Sequence, residues 1–252
     1  MPTFRAGVIL AVFLVVTLIL IPVQWLGVTL GLPYRKTLPH TYHRFVARLF
    51  GIRIRVIGAP APGMLLLANH TSWLDIVIFS AVAPLSFVAK AEVGSWPFFG
   101  TLARLQRTVF VERARRSETA ATRDVIRERL MAGDTLVLFP EGTSSDGNKV
   151  LPFKSALLSA AESDSGHVTG QPVSTAYTGI HGIPMGRENR PLFAWYGDMD
   201  LVPHLWEALK AGPLDVVMEF HPPLAVADRK ELAKAAEMQV RLGHVRALAG
   251  LT

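Results

Sequence analysis

Hydrophobic and polar positions change their period several times along this chain, and each change marks an element. No charged residue stands between Arg5 and Arg35, and the run from Gly7 to Ile21 holds a single polar side chain, Thr17. A stretch of that length suits a membrane-crossing helix, which needs about 20 apolar residues. Pro22 falls in its middle and removes a helix hydrogen bond. Two short helices in a re-entrant hairpin and one tilted, kinked span fit the pattern equally. A cleaved signal peptide fits less well, because the apolar region exceeds the ~7–15 residues expected and no small-x-small site ends it.

Tyr42, Phe45, Val46, Leu49 and Phe50 then recur at helical spacing, with His43, Arg44 and Arg48 on the other side. That is an amphipathic helix with a basic face, docked on a core or lying in the headgroup plane of an anionic leaflet. Ile52, Ile54 and Val56 alternate with Arg53 and Arg55, the period of a half-exposed strand. Further strands are expected at Met64–Ala68, Leu85–Ala89, Thr108–Val111, Thr135–Phe139, Val173–Tyr177, Leu192–Tyr196 and Val216–Phe220. Helical patterns separate them, near Ser72–Ala81, Trp96–Leu105, Glu118–Ala132, Ser155–Glu162, Leu201–Lys210 and Asp228–Leu248. The alternation implies an α/β fold: a mostly parallel sheet covered by helices on both faces, with an N-terminal membrane-associated helical hairpin. Two regions follow, residues 1–50 as membrane-anchoring helices and 51–252 as one catalytic domain.

Composition sharpens this. Of 252 residues, 50% are hydrophobic and 18% charged, which excludes a disordered chain. The absence of cysteine excludes disulfides, thiolate metal sites and a thiol nucleophile. The net charge of +6 is uneven: Arg5, Arg35, Lys36, Arg44, Arg48, Arg53 and Arg55 all precede the first acidic residue, Asp75. Cations flanking an apolar run point to an anionic lipid surface rather than nucleic acid, and their cluster after the run places the rest of the chain on the cytoplasmic side.

Candidate chemistry sits just past two buried strands, where α/β folds place their sites. In Ala68-Asn-His-Thr-Ser-Trp-Leu-Asp75, the residue types suit one reading in which His70 serves as a general base and Asp75 as the carboxylate that fixes its tautomer. Ser72-x-x-Asp75 is equally a capping box, in which Asp75 only ties off a helix. Leu138-Phe-Pro-Glu-Gly-Thr-Ser-Ser-Asp-Gly147 offers Glu141 as acceptor, a free N–H at Gly142 and the Thr143 hydroxyl in one turn. His40 and His43 read as a surface pair, and with neither H-E-x-x-H nor clustered carboxylates no metal is implied.

His70-x4-Asp75 together with Phe139-Pro-Glu-Gly142 resembles the lysophospholipid acyltransferase family, and the likeness spans roughly residues 45–178. It implies His70 as base and Asp75 as its orienting carboxylate. It further implies Arg113, in Val109-Phe-Val-Glu-Arg113, as the ligand of an anionic head, with Glu141, Gly142 and Thr143 as the acceptor-binding turn. Lys90 and Lys154 would add cations. The phosphatidic-acid-forming pattern continues with an arginine where Ser144 stands. With Lys149-Val-Leu-Pro-Phe-Lys154 and Ala194-Trp-Tyr-Gly-Asp-Met-Asp200, this looks closer to the bacterial lyso-ornithine lipid O-acyltransferase branch, lysophosphatidic acid being the runner-up acceptor. The resemblance implies transfer from an acyl carrier protein or coenzyme A thioester as co-substrate, with no other cofactor, at the cytoplasmic face of the bacterial inner membrane. A serine hydrolase lacks its G-x-S-x-G elbow here. A non-catalytic lipid-binding protein would have no need of both His70 and Asp75.

Overall fold

In the computed structural model, which describes residues 2–111, 116–161 and 168–252, the sheet is organised around Leu65–Ala68. All four of these side chains are apolar and buried, the pattern of a strand covered on both faces. The strands are β1 (Ile52–Ile57), β2 (Leu65–Ala68), β3 (Ser86–Lys90), β4 (Val109–Val111), β5 (Leu136–Leu138), β6 (Val168–Ile180), β7 (Ile183–Pro184), β8 (Leu214–Phe220) and β9 (Leu224–Val226). They run in the order β1-β8-β6-β2-β5-β3-β4, with β7 and β9 paired to β6. Pairing is parallel throughout that path except between β6 and β8.

The helices are α1 (Pro2–Thr29), α2 (Leu38–Phe50), α3 (Leu74–Val82), α4 (Phe99–Leu105), α5 (Arg116–Met131), α6 (Leu201–Ala211) and α7 (Arg229–Leu248). They divide between the two faces of the sheet. Leu66, Ala68, Val137, Phe139 and Val173 pack with α1, α2, α3 and α6. The alternate side chains Leu65, Leu67, Leu136 and Leu138 pack with Ile126 of α5 and with Leu232, Ala236 and Val240 of α7. The period of two in the strands thus sorts the helices into two layers.

The apolar run is a single helix, so the re-entrant pair of short helices broken at Pro22 does not form, and α1 pairs instead with α2. One helix runs through Pro22 to Thr29, and the chain reverses through a 3₁₀ turn at Pro33–Arg35. The two helices are antiparallel: the Phe13 and Phe50 rings lie 5.6 Å apart, and the Thr17 and Tyr42 hydroxyls 2.6 Å apart. In its most apolar 18-residue window only 22% of α1 is buried, so most of its aliphatic side chains, Val15, Leu18 and Ile19 among them, face outward. Ala6, Ile9 and Phe13 instead join the same apolar cluster as the sheet, so residues 1–50 share their core with residues 51–252.

Three expectations need correction. Leu192–Tyr196 is not a strand. A 3₁₀ turn at Arg190–Leu192 leads into irregular chain, because the Trp195 N–H is spent on the Thr71 carbonyl at 2.9 Å, a single hook outside any strand ladder. Ser155–Ala161 is 3₁₀ rather than α. His40 and His43 are not a surface pair: both are half-buried, His40 Nδ1 lies 2.7 Å from the Ser80 carbonyl and His43 Nδ1 2.8 Å from that of Pro39.

Candidate active site

Asn69 and His70 continue directly from β2, and Asn69 is locked by paired bonds to the Thr175 backbone, both 2.8 Å. This bridge extends the β2–β6 ladder by one side chain and fixes where the following turn begins. His70 Nδ1 lies 2.8 Å from Asp75 Oδ2. The same oxygen accepts the N–H groups of Thr71 at 2.7 Å and Ser72 at 3.0 Å. The oxygen that gathers the turn before α3 thus also holds the ring, but the expected capping box does not form: α3 has no side-chain cap, and Ser72 Oγ makes no hydrogen bond among the described residues. Since a carboxylate oxygen only accepts, Nδ1 carries the hydrogen and Nε2 is left as the ring's proton acceptor. The imidazole lies flat on Phe139, with centroids 4.1 Å apart, and Phe139 stacks in turn on Phe87 at 6.4 Å.

The second turn follows β5. Glu141 is buried, and among the described residues its carboxylate pairs with no cation. Oε2 accepts the His70 N–H at 2.8 Å and Oε1 the Leu151 N–H at 2.7 Å. Burial pushes this carboxyl up to about 8 despite those two bonds. Its geometry holds the His70 backbone in place. Gly142 adopts φ +73°, a left-handed conformation that suits glycine, and its N–H donates to the Phe139 carbonyl at 3.1 Å. That N–H is therefore not free, contrary to expectation. The N–H groups of Thr143 and Ser144 make no hydrogen bond among the described residues.

Thr143, Lys90 and Lys154 are exposed. The Lys154 N–H closes the turn onto Pro140 at 2.9 Å. Ser144 Oγ donates to the Trp195 carbonyl, so the Trp195 N–H and C=O are held by the two turns after β2 and β5. Arg113 lies outside the described residues.

Three further groups belong here whose roles patterns along the chain do not give. Tyr177 Oη donates to Asp75 Oδ1 at 2.8 Å. Phe139 is the platform under the imidazole, and Trp195 spans Thr71 and Ser144. The first reads as one more apolar position of β6, and the last was placed in a strand. Only the stacking of four segments brings them to His70.

Beside the site lies a cavity of about 220 Å³ between α1, α2, α3, α4 and α6. Its lining is mostly apolar, including Phe13, Ile21, Val46, Phe87, Trp96 and Leu201. His43 also lines it, and burial pushes that ring down to about 4, leaving it neutral. Phe87 belongs both to this wall and to the ring stack that ends on His70.

The Acyltransferase family model matches residues 53–185, which include both turns. The chain is 50% identical to a lyso-ornithine lipid O-acyltransferase of Brucella abortus, an alignment covering 98% of this chain and 97% of that one. It is 36% identical to a 1-acyl-sn-glycerol-3-phosphate acyltransferase of Neisseria gonorrhoeae over 69% of this chain and 66% of that one. The crystal structure of a 1-acyl-sn-glycerophosphate acyltransferase from Thermotoga maritima superposes with a TM-score of 0.66 at 25% identity, covering 96% of each chain.

Proposed function

The chain belongs to the acyltransferase family, and from that premise we propose that it moves a fatty acyl group from a thioester to the hydroxyl of lyso-ornithine lipid. The observation that carries the chemistry is the His70–Asp75 pair, whose 2.8 Å contact turns Nε2 into a base at the carboxyl end of a central strand. His70 Nε2 takes the acceptor's hydroxyl proton, and the oxygen attacks the thioester carbonyl carbon. The resulting oxyanion meets the N–H groups of Thr143 and Ser144. As the carbonyl re-forms, the carbon–sulfur bond breaks and the thiolate leaves with the proton that His70 held. No acyl-enzyme is formed.

The acyl chain lies in the 220 Å³ apolar cavity, reached along the Phe139–Phe87 stack. The donor is an acyl carrier protein or coenzyme A thioester. For the acceptor, support comes from the relatives at high identity and from Ser144. Tied to the Trp195 carbonyl, that side chain supplies no charge for a phosphate. The outward aliphatic face of α1 and the basic residues around α2 hold the enzyme on the cytoplasmic face of the bacterial inner membrane.

The test offers lyso-ornithine lipid and lysophosphatidic acid together to the purified protein with one acyl donor. Predominant acylation of lyso-ornithine lipid is expected. Predominant phosphatidic acid would replace the acceptor while leaving the reaction class in place.

A further inference from the structure

The outward side of α7 carries an apolar stripe that neither the site nor the membrane helix uses. Met238, Leu242 and Val245 are 60%, 58% and 57% exposed, although residues at i, i+4 and i+7 fall on one face of a helix. The inner face of the same helix is buried through Leu232, Ala236, Val240 and His244. Because α7 packs on the face of the sheet opposite α1, a bilayer that receives α1 does not reach this stripe.

Cations frame it. Lys234 stands one turn before Met238 and is exposed, while Arg241 and Arg246 remain 52% and 49% exposed. Those two arginines pair at their inner edges with Glu237 and Glu219. The acids of this helix are engaged by backbone: Glu237 Oε2 accepts the Phe153 N–H at 2.9 Å, and Glu231 accepts that of Ala227 at 3.3 Å. Lys149 and Lys154 continue the exposed cations onto the adjoining turn.

This helix is also attached to the catalytic turn. Arg241 reaches the Val150 carbonyl at 3.5 Å, Glu237 holds Phe153, and Leu151 between them is held by Glu141, which also binds the His70 backbone. A partner seated on α7 therefore lies next to the segment that carries the base.

We propose that this stripe is the docking face for an acidic carrier protein that presents the acyl thioester to His70. The charge decides between occupants. A symmetric pairing of two copies would set Lys234, Arg241 and Arg246 against their own like, whereas an acidic helical surface complements them around the central Met238, Leu242 and Val245. The inference rests on the reading of the donor as a thioester and goes beyond it in naming the surface.

The experiment compares full-length wild type with Lys234→Glu and Leu242→Glu, using palmitoyl-loaded carrier protein and palmitoyl-coenzyme A as alternative donors. Binding of the carrier protein is titrated separately, and circular dichroism checks the fold. Both variants should raise KM for the carrier-protein donor by about tenfold or more, and the wild-type affinity should weaken with salt. Turnover from the coenzyme A donor should stay within about twofold, because the substituted side chains lie outside the reacting groups. Unchanged carrier-protein binding in both folded variants overturns the proposal, as does an equal loss with both donors. If the wild type works from coenzyme A and does not bind carrier protein, this surface is wrong while the reaction stands. If neither donor supports transfer, the reaction itself is wrong.

Discussion

Tyr177 Oη donates to Asp75 Oδ1 at 2.8 Å, while His70 Nδ1 and two backbone N–H groups converge on Oδ2. Each carboxylate oxygen thus has its own duty. Burial, and the neighbouring Asp75 charge, push the Tyr177 hydroxyl well above its ordinary range, so it remains a donor at every working pH. Tyr177→Phe leaves a buried lone pair unsatisfied, a cost of about 1–3 kcal/mol in stability. We expect kcat to fall about tenfold with KM little changed, since the hydroxyl acts through Asp75 rather than on substrate. Steady-state kinetics and thermal unfolding read both; an unaltered kcat would show that Asp75 needs no second anchor.

His70→Ala should lower turnover by about 10²–10⁴-fold, the usual worth of a general base. Asp75→Asn should lose less, because an amide oxygen still accepts from Thr71 and Ser72 and keeps the turn before α3 in place. Initial rates with circular dichroism decide. Near-normal turnover in a folded His70→Ala would remove His70 as the base.

Glu141 should give the protein a pH-dependent stability. Its carboxyl rises from 4.5 to about 8 on folding, so between those values the folded chain holds a proton that the unfolded chain has released. The unfolded state binds fewer protons across that window, and stability falls as pH rises through it. Unfolding midpoints in detergent, taken from pH 7 to pH 8.5 because the lowered rings of His43, His204, His221 and His244 give the opposite slope at lower pH, should decline, and Glu141→Gln should flatten the slope. The amide that Glu141→Gln introduces has only one accepting oxygen for two backbone N–H groups, so kcat should also fall as the His70 backbone loses part of its anchor. A wild-type midpoint that climbs with pH would contradict the assignment.

Ser144→Arg removes the tie to the Trp195 carbonyl and adds a permanent charge beside the His70 turn. An arginine grips phosphate with two charge-assisted hydrogen bonds, a gain of about 1.5–3 kcal/mol. The ratio of lysophosphatidic acid to lyso-ornithine lipid acylated should therefore rise about tenfold to a hundredfold. An unmoved ratio in a competition assay would mean that this position does not read the headgroup.

Carbonate washing of membranes should leave the full-length protein in the pellet, since α1 keeps Phe4, Leu18, Ile19 and Trp25 largely exposed. Recovery in the soluble fraction with Met1 still present would remove α1 as the anchor.

What the sequence determined by itself is local. The apolar run of α1, the period of two in β1 and the buried β2 are readable because backbone geometry repeats every two or 3.6 residues. His70 and Asp75 are readable as a pair for the same reason, lying within one turn of each other, and the contact between them forms. The tertiary structure decided everything that depends on separate segments meeting. It turned Glu141 from an acceptor ligand into a clamp on the His70 and Leu151 backbones, and closed the Gly142 N–H onto Phe139. It drew Trp195 out of a strand, and set Tyr177 behind Asp75 from 102 residues away. It also put His43 against a cavity instead of water. A one-dimensional pattern records which face of its own element a residue occupies, but it carries no register between elements. That register is set by the packing of β2 between β5 and β6, which brings the ends of those strands to a single point.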